Sequence, residues 1–311
     1  MSRASSASWR ARSRIISTDP AAARSRRAGL LLLAVTAIGW GLNWPALKMV
    51  LLQMPPLTAR GVAAVWAALG LTLVALAWQV PLRLPASERG AVAIAGLLNV
   101  GGWMGFSTLG LLWLSAGEGA LVAYTMPVWA ALLAWPLLGE RPTAARLLAL
   151  VLGLGGVALL LGGQPTGGTE GKLPGILLML GAALCFALGA VLTKRRPLLL
   201  HPMASVIWQV SFGALPILAG ALLLERPDWE GVSPAAWGAL AFMAVLPLSI
   251  CYLTWFGALR RLPASSAAMG TLATPLIGML VGAATLGEPL GWRQIVALAL
   301  TLCGVVLALR G

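Results

Sequence analysis

Ten apolar runs, each long enough to cross a hydrocarbon layer, fill almost the whole chain: approximately 29–52, 56–79, 90–114, 118–138, 144–162, 174–194, 202–224, 234–260, 264–286 and 291–310. A layer about 30 Å thick takes about 20 residues of helix at 1.5 Å each. Barrel strands would be about ten residues long and strictly alternating, whereas these runs are longer and uniformly apolar. They read as helices, because lipid tolerates only elements that satisfy their own backbone. Only 10% of the residues are charged, against about 25% in a soluble domain, which excludes a soluble fold. The longest polar connections, near 80–89, 163–173 and 225–233, leave no room for a separate soluble domain.

The net charge of +13 would suggest nucleic acid in a soluble chain. Here Lys and Arg fall in the tail and between apolar runs, where they report membrane orientation instead. With the amino terminus in the cytoplasm, 17 of them fall inside and five (Lys48, Arg60, Lys172, Arg226, Arg293) outside. Both termini are therefore expected to be cytoplasmic. Residues 1–28 form a basic tail whose Arg- and Ser-rich composition also suits an organelle transit peptide, but a basic anchor before a first span is the simpler reading. Cys185, Cys251 and Cys303 stand alone in apolar runs, and His201 is the sole histidine. No disulfide framework, metal cage, cofactor or catalytic constellation is expected, so the chain does not read as an enzyme.

Self-comparison organises the spans. Residues 137–163 align without gaps on 285–311, an offset of 148 with 12 of 27 positions identical, including Leu-Gly-Glu at 138–140 and 286–288. Pro127 falls on Pro275 at the same offset, and GWGLNWPALK (39–48) answers CFALGAVLTK (185–194) at offset 146. Each half holds five spans, an odd number, so the copies must insert in opposite senses: 29–163 and 174–311, joined by a linker at 164–173. Inverted copies create two equivalent gates around a central site, which alternating access requires.

The Trp-Gly-x-Asn-Trp of the first span, Arg60 early in the second, Leu-Gly-Glu closing the fourth and ninth, and the 5+5 duplication resemble the EamA-type drug/metabolite transporters over residues 29–311. The resemblance implies an all-α polytopic protein with ten helices around a central cavity and the fifth and tenth spans at the periphery. It further implies export of small solutes, amino acids including aromatic ones such as phenylalanine or tryptophan, across a bacterial cytoplasmic membrane. Other metabolites, cationic drugs or a non-transport membrane role are the alternatives.

Polar and aromatic residues at mid-span mark the candidate site, since an amide facing lipid is costly. Trp40, Asn43, Asn99, Trp103, Tyr124, Gln209, Tyr252 and Trp255 are the expected substrate-binding residues. Thr36, Trp40, Asn43 and Leu47 share a helix face, as do Asn99, Trp103, Phe106 and Gly110, with Ser107 beside them; Trp208, Ser249, Thr271 and Thr274 are further mid-span candidates. Glu140 and Glu288 follow helix-ending glycines and are read as caps complementing the next helix. Pro127 and Pro275 are the expected hinges. Lys48 and Arg60, in or near the outer parts of spans, would suffice for one substrate carboxylate at most, with snorkelling to the interface as the alternative for Lys48.

Overall fold

A computed structural model describes residues 20–140, 143–161, 171–262 and 270–310, with no strand among them. Helix α1 spans Pro20–Leu51 and α2 Pro56–Ala77. Helix α3 is Ala86–Gly110, with a π-helical turn, Leu97–Gly102, in its middle. The fourth apolar run forms two helices, α4 (Ala116–Ala123) and α5 (Met126–Leu138). Then come α6 (Ala144–Leu161), α7 (Leu173–Arg195) and α8 (Pro202–Leu224). Helix α9 covers 234–259, again with a central π-helical turn, Leu246–Ile250. Helices α10 (Ala273–Leu286) and α11 (Trp292–Arg310) follow.

Local chemistry sets many of these ends. Proline occupies the first turn of α2, α5, α7, α8 and α9, where its missing N–H would have had no helical partner. Helices α5 and α10 stop at Gly139 (φ 75°) and Gly287 (φ 65°), left-handed positions that glycine adopts without a Cβ clash.

Among the described residues seven helical stretches are long and apolar enough to cross a membrane, and Leu147–Leu160, Ala273–Leu286 and Trp292–Leu307 are shorter apolar helices. Leucines such as Leu73, Leu222 and Leu223 lie exposed, as expected of a surface facing lipid rather than water. Among the described residues several boundaries differ from expectation, the ninth run among them, where a turn at Thr271–Leu272 precedes α10. Helix α1 begins at Pro20, so Arg24, Arg26 and Arg27 ride on it; the rest of the basic tail lies outside the described residues, as do linker residues 164–170. Helix α3 starts at Ala86 rather than 90. The fourth run is broken at Tyr124–Thr125, where a turn closes α4 and Pro127 opens α5.

The helices pack in pairs that survive exchange of the two halves. Helix α6 lies against α11 and α2 against α8, each pairing a helix with its own repeat counterpart. Helix α1 contacts α10 as α7 contacts α5, and α1 contacts α9 as α7 contacts α3. The two π-helical turns begin 149 residues apart, close to the offset seen in the sequence. The α3–α8 crossing is tight: a Cβ on Gly213 would meet the Gly96 carbonyl oxygen at 2.5 Å.

Candidate functional site

A cavity of about 430 Å³ opens between α1, α2, α3, α7, α8, α9 and the α4–α5 break. Among the described residues, α6, α10 and α11 contribute none to the lining. The structure brings all eight expected residues, Trp40, Asn43, Asn99, Trp103, Tyr124, Gln209, Tyr252 and Trp255, to its wall.

Two aromatic clamps face this space. Trp40 meets Tyr252 edge-on at 5.8 Å and Trp255 at 5.7 Å, while Trp103 meets Phe186 at 5.1 Å and Trp44 edge-on at 6.4 Å. These are favoured aromatic geometries. The clamps are copies of each other: Trp40 and Phe186 are 146 residues apart, Trp103 and Tyr252 149 apart. The Trp40 indole N–H donates to the Pro247 carbonyl (3.2 Å) inside the π-helical turn of α9. Such turns widen a helix and often line functional sites.

The polar lining is ordered by hydrogen bonds. Asn99 Nδ2 donates to Gln209 Oε1 (3.0 Å), and Gln209 Nε2 donates to Ser205 Oγ (3.0 Å). Arg60, buried on α2, donates from Nε to Thr108 Oγ1 (2.9 Å). Asn43 Oδ1 and Asn99 Oδ1 are buried without a hydrogen-bond partner. Among the described lining residues Arg60 is the one charge.

Several candidates lie elsewhere. Thr36 bonds the Leu32 carbonyl and Thr254, Leu47 is fully buried in the core, and Trp208 donates to the Leu82 carbonyl. Ser249 donates to Ala244 O (2.8 Å), filling the wide turn rather than facing the cavity. Thr271 and Thr274 are buried beyond the wall, and Thr274 donates to the Ala37 carbonyl. Phe106 is exposed while Ser107 lines the cavity. The cause is the π-helical turn: its wider winding makes Asn99, Trp103 and Ser107 successive neighbours at steps of four, and turns Phe106 outward.

Pro127 and Pro275 sit in the first turns of α5 and α10. Their missing N–H groups remove no helical hydrogen bond there. Each instead opens a helix just after a turn, at Tyr124–Thr125 and Thr271–Leu272.

The glutamates also differ from expectation in their partners. Glu288 accepts from the N–H groups of Ala116 (2.6 Å) and Gly117 (3.3 Å), capping α4 of the other half rather than the helix that follows it. Ser115 and Glu118 form a capping box at the same terminus. Lys48 does not snorkel: its ammonium donates to the Leu111 and Leu114 carbonyls, within electrostatic range of Glu118 and Glu288. Their repeat counterparts, by contrast, form a direct ion pair, Lys194 Nζ lying 2.7 Å from Glu140 Oε1 at the surface.

Two stretches, residues 27–162 and 173–310, match the model of the EamA-like transporter family. The chain belongs to this family. It is 32% identical over 286 residues to the uncharacterized transporter YvbV of Bacillus subtilis, covering 89% of this chain and 90% of that one. It is 27% identical over 304 residues to a Salmonella typhimurium protein named a probable amino-acid metabolite efflux pump, covering 92% and 96%. A solved crystal structure superposes with a TM-score of 0.63 at 22% identity, covering 92% of this chain and 96% of that one, a likeness of fold.

This EamA-like chain is thus a multi-pass membrane protein of a transporter family, and a small-molecule substrate and a lipid bilayer are its partners. Sequence reading missed Phe186 as a cavity residue, although the alignment of 39–48 with 185–194 places it opposite Trp40. Thr193 and the Pro247 carbonyl carried no such signal.

Proposed function

We propose that the protein is a secondary transporter that exports small organic solutes, amino acids including aromatic ones, by alternating access. The observation that carries this reading is the single cavity wall on which two aromatic clamps meet Asn43, Asn99 and Gln209. Flat apolar surface suits a side chain, and amides suit a polar head. The Salmonella relative's name supports amino-acid metabolites as the solute class. A cationic drug fits less well, because Arg60 is the one charge on the described wall.

In this reading 29–163 and 174–311 are inverted five-span copies in a bacterial cytoplasmic membrane, joined by 164–173, with both termini inside. The Lys194–Glu140 ion pair and, at the equivalent place in the other half, Lys48 on the Leu111 and Leu114 carbonyls with Glu288 on the α4 N–H groups then mark opposite gates, and Pro127 and Pro275 mark the hinges. The exchange of packing pairs between halves and the breaks at equivalent positions support it.

Counterflow in proteoliposomes tests the mechanism. Vesicles loaded with unlabelled phenylalanine should transiently accumulate labelled phenylalanine, since a carrier exchanges solute and a channel does not. Labelled solute that merely equilibrates would overturn alternating access. Topology is tested in a cysteine-free background: Glu230→Cys should react with an impermeant maleimide from outside and Leu199→Cys only from inside.

A further inference from the structure

We infer that Arg60 anchors a carboxylate of the transported solute, with the orphan oxygens of Asn43 and Asn99 receiving its amino group, so that a free carboxylate is the obligatory feature of the substrate class. This rests on the transport reading above and sharpens it.

Three observations converge. Arg60 is only 3% exposed, yet among the described residues its guanidinium donates to the neutral Thr108 hydroxyl and pairs with no carboxylate. A buried guanidinium has five donors and ordinarily finds an anion; inside a membrane such a residue is functional by default. Secondly, the Asn99–Gln209–Ser205 chain commits the Asn99 amide nitrogen to Gln209, leaving Asn99 Oδ1 without a donor, as Asn43 Oδ1 is. Buried acceptors left unmade are costly. The wall is therefore short of one anion and at least two N–H donors, the complement of an α-amino acid head.

The third observation is asymmetry. While the aromatic clamps repeat in both halves, the polar groups do not. At the offsets that superpose the clamps, Arg60 falls on Val206, Asn43 on Gly189 and Asn99 on Leu248. Val206 and Leu248 also line the cavity. A twofold-related apolar vessel has thus acquired one polar side, which orients an amphiphilic ligand. Since Arg60 is the only charge among the described lining residues, the carboxylate has an ionic partner and the ammonium has neutral oxygens. Losing the carboxylate should therefore cost more than losing the amine.

Binding to the purified full-length protein in detergent, read by isothermal titration, tests this with phenylalanine, 3-phenylpropionate and phenethylamine. Phenylalanine should bind, 3-phenylpropionate about tenfold more weakly for want of neutral hydrogen bonds, and phenethylamine at least about 100-fold more weakly. Arg60→Gln should bring phenylalanine down to the phenethylamine level, and Arg60→Lys should restore part of the affinity. If Arg60→Gln does not fold, the three-ligand ranking on the unaltered protein still decides. Phenethylamine binding as well as phenylalanine, or no binding by any probe, overturns the anchor. Leucine binding as tightly as phenylalanine, with both dependent on Arg60, leaves the anchor standing and removes the aromatic preference from the function proposed above.

Discussion

Lys172 Nζ lies 2.6 Å from Glu118 Oε1, and both side chains are almost wholly out of solvent, 2% and 1% exposed. Lys172 comes from the connection between the halves, and Glu118 belongs to the capping box that starts α4. Gln294 Nε2 adds a hydrogen bond to the same carboxylate oxygen (3.2 Å). One buried pair therefore ties the inter-half connection, α4 and the start of α11.

Removing one member strands the other. Lys172→Met alone should destabilise the protein by about 3–5 kcal/mol, because an uncompensated buried charge is worse than none. Lys172→Met combined with Glu118→Gln should recover much of that loss. Thermal unfolding in detergent would check it; a single variant as stable as the parent would mean the pair is hydrated.

Glu288 gives a pH dependence with a defined sign. Burial pushes its carboxyl up from the ordinary carboxylate value, against the opposing pull of the Ala116 and Gly117 N–H groups and Lys48. The folded state then holds its proton more tightly than the unfolded chain does. Stability from this group should be fully present below the ordinary carboxylate value and lost as pH rises from there through the raised folded value. Glu288→Gln, which keeps an acceptor for the α4 N–H groups, should flatten that part of the melting-temperature profile. It should also leave proton-gradient dependence of transport unchanged, as should Glu140→Gln. Loss of a steep proton-driven uptake in either variant would assign these acids to coupling.

Gly189 and Asn99 offer a test of the polar wall. A Cβ on Gly189 would run into the Asn99 side-chain oxygen, so Gly189→Ala must displace that amide. The variant should fold, since the amide is a movable side-chain end, and bind phenylalanine about threefold to tenfold more weakly, the value of one hydrogen bond. Unchanged affinity would place Asn99 Oδ1 outside the site.

These residues also show how far the sequence could be read. Deep tryptophans and amides are conspicuous because lipid penalises polar groups, and all eight chosen ones line the cavity. The register beyond Asn99 was hidden: nothing in the composition of 97–102 signals a π-helical turn, and a strict 3.6 period selects Phe106 where the wider turn delivers Ser107. Glu288 was legible as a cap from Gly287 before it, but its actual target, α4, lies 171 residues or more away in sequence and depends on packing between halves. Arg60 was visible as an early cation of the second span; that it lacks an acidic partner is a property of the assembled wall.

The strongest division between site and scaffold concerns Trp103 and Asn43. Trp103 bridges Trp44 and Phe186, so Trp103→Ala removes both aromatic contacts and enlarges a space that already exists. If Trp103 were only packing, its loss should cost about 3–5 kcal/mol and lower the amount of folded protein. As a wall residue half-exposed to the cavity, it has fewer contacts to lose, so the variant should fold and show a raised half-saturating phenylalanine concentration. Asn43→Ala sharpens the comparison, because deleting an amide whose oxygen is an unpartnered buried acceptor should not weaken the fold. It should still weaken phenylalanine more than 3-phenylpropionate, which has no amino group to lose. Folded yield by size exclusion and uptake kinetics in the same vesicles separate the outcomes: if both variants fold and transport phenylalanine and leucine like the parent, the cavity is not the route of the solute.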